Sequence, residues 1–345
     1  MRRCSLTLAL ALGCTQEPEL VVVGTRELGP LTTADGVALR ERGYSLYAFS
    51  RSVWLFGDTR LTSPDAQGSS VRGSGWSHTF DLTAEDGIDL FTSPLDADGG
   101  PAELFVPTAE ELAFNQANDD ARVVIWPLAG VRDDANDRVL LFYEKLRVFE
   151  SGLRTPIGSS IAVWTELEFG PVRPVLDAGS EESTLLFTDP EPRFGQAALV
   201  VGEQLYAWGC ENSLYHPCVL ARVELDAVFE RDAWQFWTGR AWSSSLADAV
   251  ATIEAAMMFS VHYNPHADRY LAFYGEREAG EILLRTAEQP EGPWSSPTSI
   301  FTAGAAIADV VAHSEHRRGA GRFEYLSYRI ADELRLLEVE LAPGD

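Results

Sequence analysis

The sequence predicts an all-β chain folded as a five-bladed β-propeller, and two observations carry that reading. First, one strand type appears five times, an aliphatic-aromatic run ending a hairpin arm: Val53-Trp54-Leu55-Phe56-Gly57, Val139-Leu140-Leu141-Phe142-Tyr143, Leu205-Tyr206-Ala207-Trp208-Gly209, Tyr270-Leu271-Ala272-Phe273-Tyr274 and Phe323-Glu324-Tyr325-Leu326-Ser327-Tyr328. Phe142, Trp208, Phe273 and Leu326 lie about 53 to 66 residues apart, a long period that marks repeated supersecondary units. Second, β-rich runs punctuated by Gly, Pro, Asp and Asn flank each repeat, which are strand and turn signals.

Each predicted blade reads in the same order. A short run comes first: Val123 to Trp126, Ala197 to Val201, Phe259 to Tyr263 and Asp309 to His313. The aromatic strand follows, and then a second β-rich run: Ser160 to Thr165, Cys218 to Val223, Ile282 to Thr286 and Leu334 to Val339. Asp232 to Trp237 and Gly292-Pro293-Trp294 add a further element. Three or four antiparallel strands repeated five times make a five-bladed wheel. Leu20 to Val23 is a candidate outer strand closing the last blade onto the first. Thr108 to Asn118, Asp226 to Phe229 and Ala247 to Ala256 are candidate short helices. A two-domain sandwich is the competing architecture, disfavoured by the even placement of the aromatic strands.

The formal charge is −25, and Lys145 is the only lysine. So acidic a surface repels phosphate backbones and anionic bilayers, which disfavours nucleic acid and membrane-surface partners. A neutral glycan is compatible, and a solvated surface that keeps a monomer soluble accounts for the charge equally well.

The amino terminus reads as a targeting signal. Arg2-Arg3 precede an apolar run from Leu6 to Leu12, too short to span a bilayer. Ala11-Leu12-Gly13-Cys14 then resembles a bacterial lipobox, with Cys14 as the lipidated residue and Ala11 in place of the usual leucine. The expected organisation is a signal peptide at 1–13, an anchor and linker at 14–29 and the propeller at 30–345. The chain is thus expected to be exported and held at the cell envelope by a lipid anchor, its only link to the membrane. Cys4 lies within the signal. Cys210 and Cys218 bracket Glu211 to Pro217, and in an exported protein that spacing suits a disulfide closing a hairpin loop. Zinc, with His216 as a third ligand, is the weaker alternative.

In a propeller the innermost strands line a channel, so residues near strand ends converge on a mouth although distant in sequence. Asp35, Asp58, His78, Arg193, His262 and His313 are the candidates on that ground. Asp58 follows an apolar strand and Gly57, where burial would raise its pKa as a general acid needs. Asp35 is the candidate second carboxylate, since glycosidic cleavage uses one carboxyl to protonate the leaving oxygen and another to attack or activate water. Both Asp residues also suit ordinary turns. The histidines and Arg193 are candidate substrate contacts, and Trp76, Trp126 and Trp242 are candidate sugar platforms, although such residues also pack routinely. Among the repeats only the first runs into Asp-Thr; the others continue into Glu144, Cys210, Gly275 and Arg329.

Trp54-Leu55-Phe56-Gly57-Asp58-Thr59, Phe259 to Asn264 with Arg269-Tyr270, and Arg285-Thr286-Ala287 with Gly292-Pro293-Trp294 carry a resemblance. Over roughly residues 30 to 341 the chain resembles a bacterial propeller family of unknown function that includes endo-acting D-arabinan hydrolases. It is similar in architecture to the arabinanase and levansucrase propellers. The resemblance implies hydrolysis of a carbohydrate, such as an arabinofuranose-containing glycan, with Asp35 and Asp58 as the matching carboxylates. The pattern departs at Met257-Met258, where relatives carry a glutamate, and at Trp76-Ser77-His78, where many carry an Asn-Ser pair.

Metal and cofactor signals are poor. Asp133-Asp134-Ala135-Asn136-Asp137 lacks the ligand alternation and glycine of an EF-hand, and a calcium ion in the channel has no motif behind it. No nucleotide loop, zinc-protease motif or Gly-x-Ser-x-Gly elbow is present. No cofactor is therefore expected. The sequence leaves three functional classes: a glycoside hydrolase, a non-catalytic propeller that holds a glycan or protein, and a degenerate enzyme keeping only the fold.

Overall fold

A computed structural model describes residues 20–343 apart from 33, 34, 66, 67, 89–91, 98, 181, 212, 214 and 215. The proposed signal and Cys14 lie outside the described residues. Strands are numbered along the chain. Strand β1 (Leu20–Pro30) stands apart in sequence from the blade it completes. The first blade holds β2 (Val37–Ala48), β3 (Arg51–Leu61), β4 (Val71–Arg72) and β5 (Gly75–Thr79). Helix α1 (Ala109–Ala117) leads to the second, with β6 (Ala121–Asp133), β7 (Arg138–Phe149), β8 (Arg154–Trp164) and β9 (Phe187–Thr188). The third holds β10 (Arg193–Val201), β11 (Gln204–Cys210), β12 (Pro217–Glu224), β13 (Gln235–Trp237), β14 (Trp242–Ser243) and β15 (Ala251–Glu254). The fourth is β16 (Phe259–Asn264), β17 (Arg269–Glu276), β18 (Glu281–Ala287) and β19 (Thr298–Thr302). The fifth is β20 (Ile307–Ala312), β21 (Phe323–Ile330) and β22 (Glu333–Pro343), with β1 on its outer edge.

The chain is a five-bladed propeller. Strands β2, β6, β10, β16 and β20 form the inner ring, each touching the next and β20 returning to β2. The repeated aromatic run is the second strand of every blade. Val53–Phe56, Val139–Tyr143, Leu205–Trp208 and Tyr270–Tyr274 are buried throughout, because neighbouring blades cover both faces of that strand. That is why these runs read as continuously apolar rather than alternating. Trp54, Trp164, Trp208 and Trp234 are the largest fully buried side chains.

Closure is by β1, which pairs antiparallel with β22 from Leu20↔Pro343 to Pro30↔Arg335. The strand expected at Leu20 to Val23 is present and runs on to Pro30, through part of the stretch expected as anchor and linker. A polar stretch reads as linker in the sequence; pairing with β22 gives its backbone a ladder. Helix α1 forms where expected, with Thr108 as N-cap: Glu111 N–H donates to Thr108 Oγ1 at 3.2 Å and Thr108 N–H to Glu111 Oε2 at 2.8 Å. Asp226 to Phe229 holds the end of a single 3₁₀ turn, Leu225–Ala227. The helix expected at Ala247 to Ala256 is overturned, since Leu246–Asp248 is a 3₁₀ turn and β15 pairs with β12. Edge pairing outweighs the helix propensity of its alanines. Among the described residues no helix is long and apolar enough to cross a membrane.

Candidate functional site

Strand direction sorts the candidates. Successive strands run oppositely, so the starts of the innermost strands share one mouth with the ends of the second strands. The residues after the aromatic runs, Asp58, Glu144, Cys210, Gly275 and Arg329, therefore gather toward this N-terminal mouth. Register confirms it: Glu144 pairs with Trp126, Cys210 with Arg193 and Arg329 with Ala308.

At the axis, fully buried Glu144 binds two guanidiniums. Its Oε1 accepts from Arg42 of β2 and its Oε2 from Arg193 of β10 at 3.1 Å. Asp309, on β20, takes Arg329 Nε at 2.6 Å and the main-chain N–H of Arg42 at 3.0 Å. Glu144 and Asp309 together push the Arg42 pKa upward against its burial. Tyr44 donates to the carbonyl of Gln196 at 2.7 Å, and burial raises its phenol well above the usual range.

Asp58 lies toward the crevice between the first two blades, half-buried and inside β3 rather than at its end. Oδ2 meets Arg122 at 3.0 Å and Oδ1 accepts the Trp126 indole N–H at 3.0 Å. Trp126 is 4% exposed, with the Arg42 and Arg154 guanidiniums 4.7 and 4.4 Å from its ring centroid, so arginines hold the ring proposed for a sugar. Glu103 shares this crevice. Its Oε1 accepts Gly73 N–H at 2.8 Å, and its pKa is raised, chiefly by burial and further by the negative charge of Asp58. Next to this mouth, on the side of blades three to five, a cleft of about 450 Å³ is lined by Glu254, Met257, Met258, Tyr274, Glu276 and Asp309 among others.

The expected convergence is only partly realised. Arg193 and Asp58 reach the N-terminal mouth. Asp35 does not join Asp58: it is exposed in the turn before β2, past the pairing of Val37 with Leu61. Three residues of strand, about 10 Å, separate Asp58 from Leu61 alone. Trp76 and His78 are on β5, the outer part of the first blade, where Trp76 is buried edge-on against Trp164 at 4.9 Å. Burial and Arg51 pull the His78 pKa down.

His262 and His313 belong to the opposite half of the axis. His262 Nε2 lies 3.1 Å from Oε1 of buried Glu324. His313 is wholly buried, with Nδ1 2.6 Å from Ser45 Oγ and its ring 4.0 Å from that of Trp54; burial holds its pKa well below the ordinary range. His262 borders an axial channel of about 390 Å³ lined by all five innermost strands. Trp242 packs against Trp237 and Tyr206. Cys210 and Cys218 form a disulfide between paired residues of β11 and β12, so the zinc alternative falls. Among the described residues no group of three His, Cys, Asp or Glu side chains could hold a metal ion.

Sequence reasoning missed Glu144, Arg42, Asp309 and Glu103 as site residues. For Glu144 the signal existed: it occupies the place after its aromatic run that Asp58 occupies after the first. Arg42, Asp309 and Glu103 carry no local motif.

Residues 174–318 match a family described as domain of unknown function DUF4185. No curated protein matches the sequence. Among solved structures, a Bacteroides ovatus protein provisionally named a hydrolase aligns at TM-score 0.60 and 14% identity, over 90% of this chain and 86% of that one. An exo-β-1,3-galactanase from Clostridium thermocellum aligns at TM-score 0.50 and 12% identity, over 92% of this chain and 61% of the other. At these identities the likeness is one of fold. The chain is a five-bladed β-propeller whose residues 174–318 carry the DUF4185 match.

Proposed function

We propose that this protein hydrolyses a glycan at its N-terminal mouth, with Glu103 and Asp58 as the carboxyl pair. The observation behind this reading is their unequal setting in one crevice. Burial and the charge of Asp58 favour the protonated form of Glu103, while Asp58 is ion-paired to Arg122 and fixed by an indole N–H. Two carboxyls in such unequal surroundings, one buried and one ion-paired, suit acid and base roles. Glu103 would protonate the glycosidic oxygen as the C–O bond breaks, and Asp58 would attack the anomeric carbon or deprotonate the incoming water. The neighbouring cleft offers apolar and polar groups within the size range of ligand sites. Export and lipidation at Cys14 belong to the same proposal; loss of membrane association in Cys14→Ser tests them.

A specific observation favours a second reading, glycan binding without cleavage. Glu41, Asp58, Glu144 and Asp309 are each engaged by an arginine, and no carboxylate stands at Met257 or Met258. The two readings separate in a screen of arabinans and other plant and bacterial glycans against wild type, Asp58→Asn and Glu103→Gln. New reducing ends with wild type, lost in both variants, support hydrolysis. Binding without product from any glycan supports the second reading.

A further inference from the structure

We infer that the Arg42–Arg193 pair at the axis takes the carboxylate of an acidic sugar, so that the ligand is a uronate-containing glycan. The inference rests on the glycan reading and narrows its substrate class.

Glu144 carries one negative charge and holds two guanidiniums, and each keeps a donor in reserve. Arg42 Nη1 is buried without a hydrogen-bond partner. Arg193 Nη2 meets only Met257 Sδ, at 3.6 Å, and a thioether is a weak acceptor. Asp309, the other carboxylate here, is committed to Arg329 and to the Arg42 main chain. Gln196, buried on the same strand as Arg193, has both its amide nitrogen and its amide oxygen unpartnered and so favours neither sign of ligand. The two guanidiniums therefore hold more donors than the acceptors they meet.

Charge points the same way. Arg42 and Arg193 share the single carboxylate of Glu144, two cations on one anion. A single carboxylate balances that surplus, whereas a dianion overshoots it. The Arg42 and Arg193 side chains are 12% and 13% exposed, so a carboxylate meeting them does so in a partly desolvated setting where charge-assisted bonds gain strength. Such a bond forms at the mouth itself, while those charges of the net −25 that lie beyond a Debye length of about 8 Å are largely screened. The cleft beside Met257 and Asp309 leaves room for the adjoining sugars.

The test is calorimetric binding of oligogalacturonate and of its carboxyl-reduced, neutral counterpart to the full chain, to Arg193→Gln and to Met257→Glu. Met257→Glu supplies Arg193 Nη2 with an internal carboxylate, and it keeps the test decisive if Arg193→Gln unfolds. Wild type is expected to bind the uronate at least about tenfold more tightly, or about 1.4 kcal/mol. Added salt is expected to erode the preference and both variants to abolish it. Equal affinity for the two sugars, or a preference unchanged in a folded variant, overturns the inference. Binding of the neutral sugar alone overturns it and leaves the glycan reading standing; binding of neither overturns it, and the glycan reading is then decided by the arabinan screen.

Discussion

Asp309 accepts the main-chain N–H of Arg42 at 3.0 Å, and both residues sit in the left-handed backbone region, at φ 56° and 69°. Non-glycine residues persist there only where their surroundings over-determine them, typically near functional sites. Here one contact ties the first and fifth blades at the axis and fixes the turn that sends Arg42 to Glu144.

Removing that acceptor should be expensive. Asp309→Ala leaves the Arg42 N–H and the Arg329 Nε–H unpaired, while Arg329 Nη1 keeps the Ala331 carbonyl, and is expected to cost about 2–3 kcal/mol, the scale of hydrogen bonds to charged groups. Asp309→Asn keeps an acceptor and should cost less. Urea denaturation of both variants checks the order.

Arg40 should behave in the opposite way. The residue is 4% exposed, and its guanidinium donates to Ser77 Oγ at 2.5 Å and Ser93 Oγ at 2.8 Å and has no carboxylate partner among the described residues. Burial pulls its pKa down to about 9, so it remains charged at neutral pH. Arg40→Met is expected to stabilise by about 1–4 kcal/mol. Because the folded pKa is depressed, the unfolded chain binds more protons above about pH 9 and wild-type stability rises from there. The variant's advantage, complete below pH 9, should shrink above it.

Glu103 separates stability from activity. Its raised pKa means that the stability it contributes is present in acid and lost as pH climbs through the folded-state value. Glu103→Gln should match wild type in acid and exceed it near neutrality. If Glu103 is the proton donor, the same variant loses about 10²–10⁴-fold in turnover. Higher stability with unchanged turnover would remove it from the chemistry.

The Cys210–Cys218 bridge closes a short loop, with a sequence separation of 8. Loop entropy gives about 2.5 kcal/mol for a ring of that size. The paired Cys210→Ala, Cys218→Ala variant should lose about this much in denaturant unfolding. Wild type treated with reductant should fall to the same value.

The wheel was legible because its signal is repeated and local. In the first four blades the aromatic run is buried on both faces by adjacent blades and so stays apolar, and Thr108 to Asn118 was legible as a short helix. The site was less legible. Asp58 stood out as a break in the repeat, but its partners Arg122 and Trp126 lie 64 and 68 residues away, and Arg42 meets Asp309 across 267. No window of sequence contains such pairs. His78, His262 and His313 were grouped with Asp58 because all lie near strand ends, yet alternating strand direction sends His262 and His313 to the other half of the axis and β5 carries His78 outward.

By itself, then, the sequence determined that five like units form the chain, where their doubly covered strands lie and that Cys210 can reach Cys218. Those features depend on burial pattern and short-range spacing. Only the tertiary structure decided that Glu144 gathers Arg42 and Arg193, and that Glu103 rather than Asp35 lies near Asp58. These depend on which blades become neighbours when the wheel closes, and closure is a property of the whole chain.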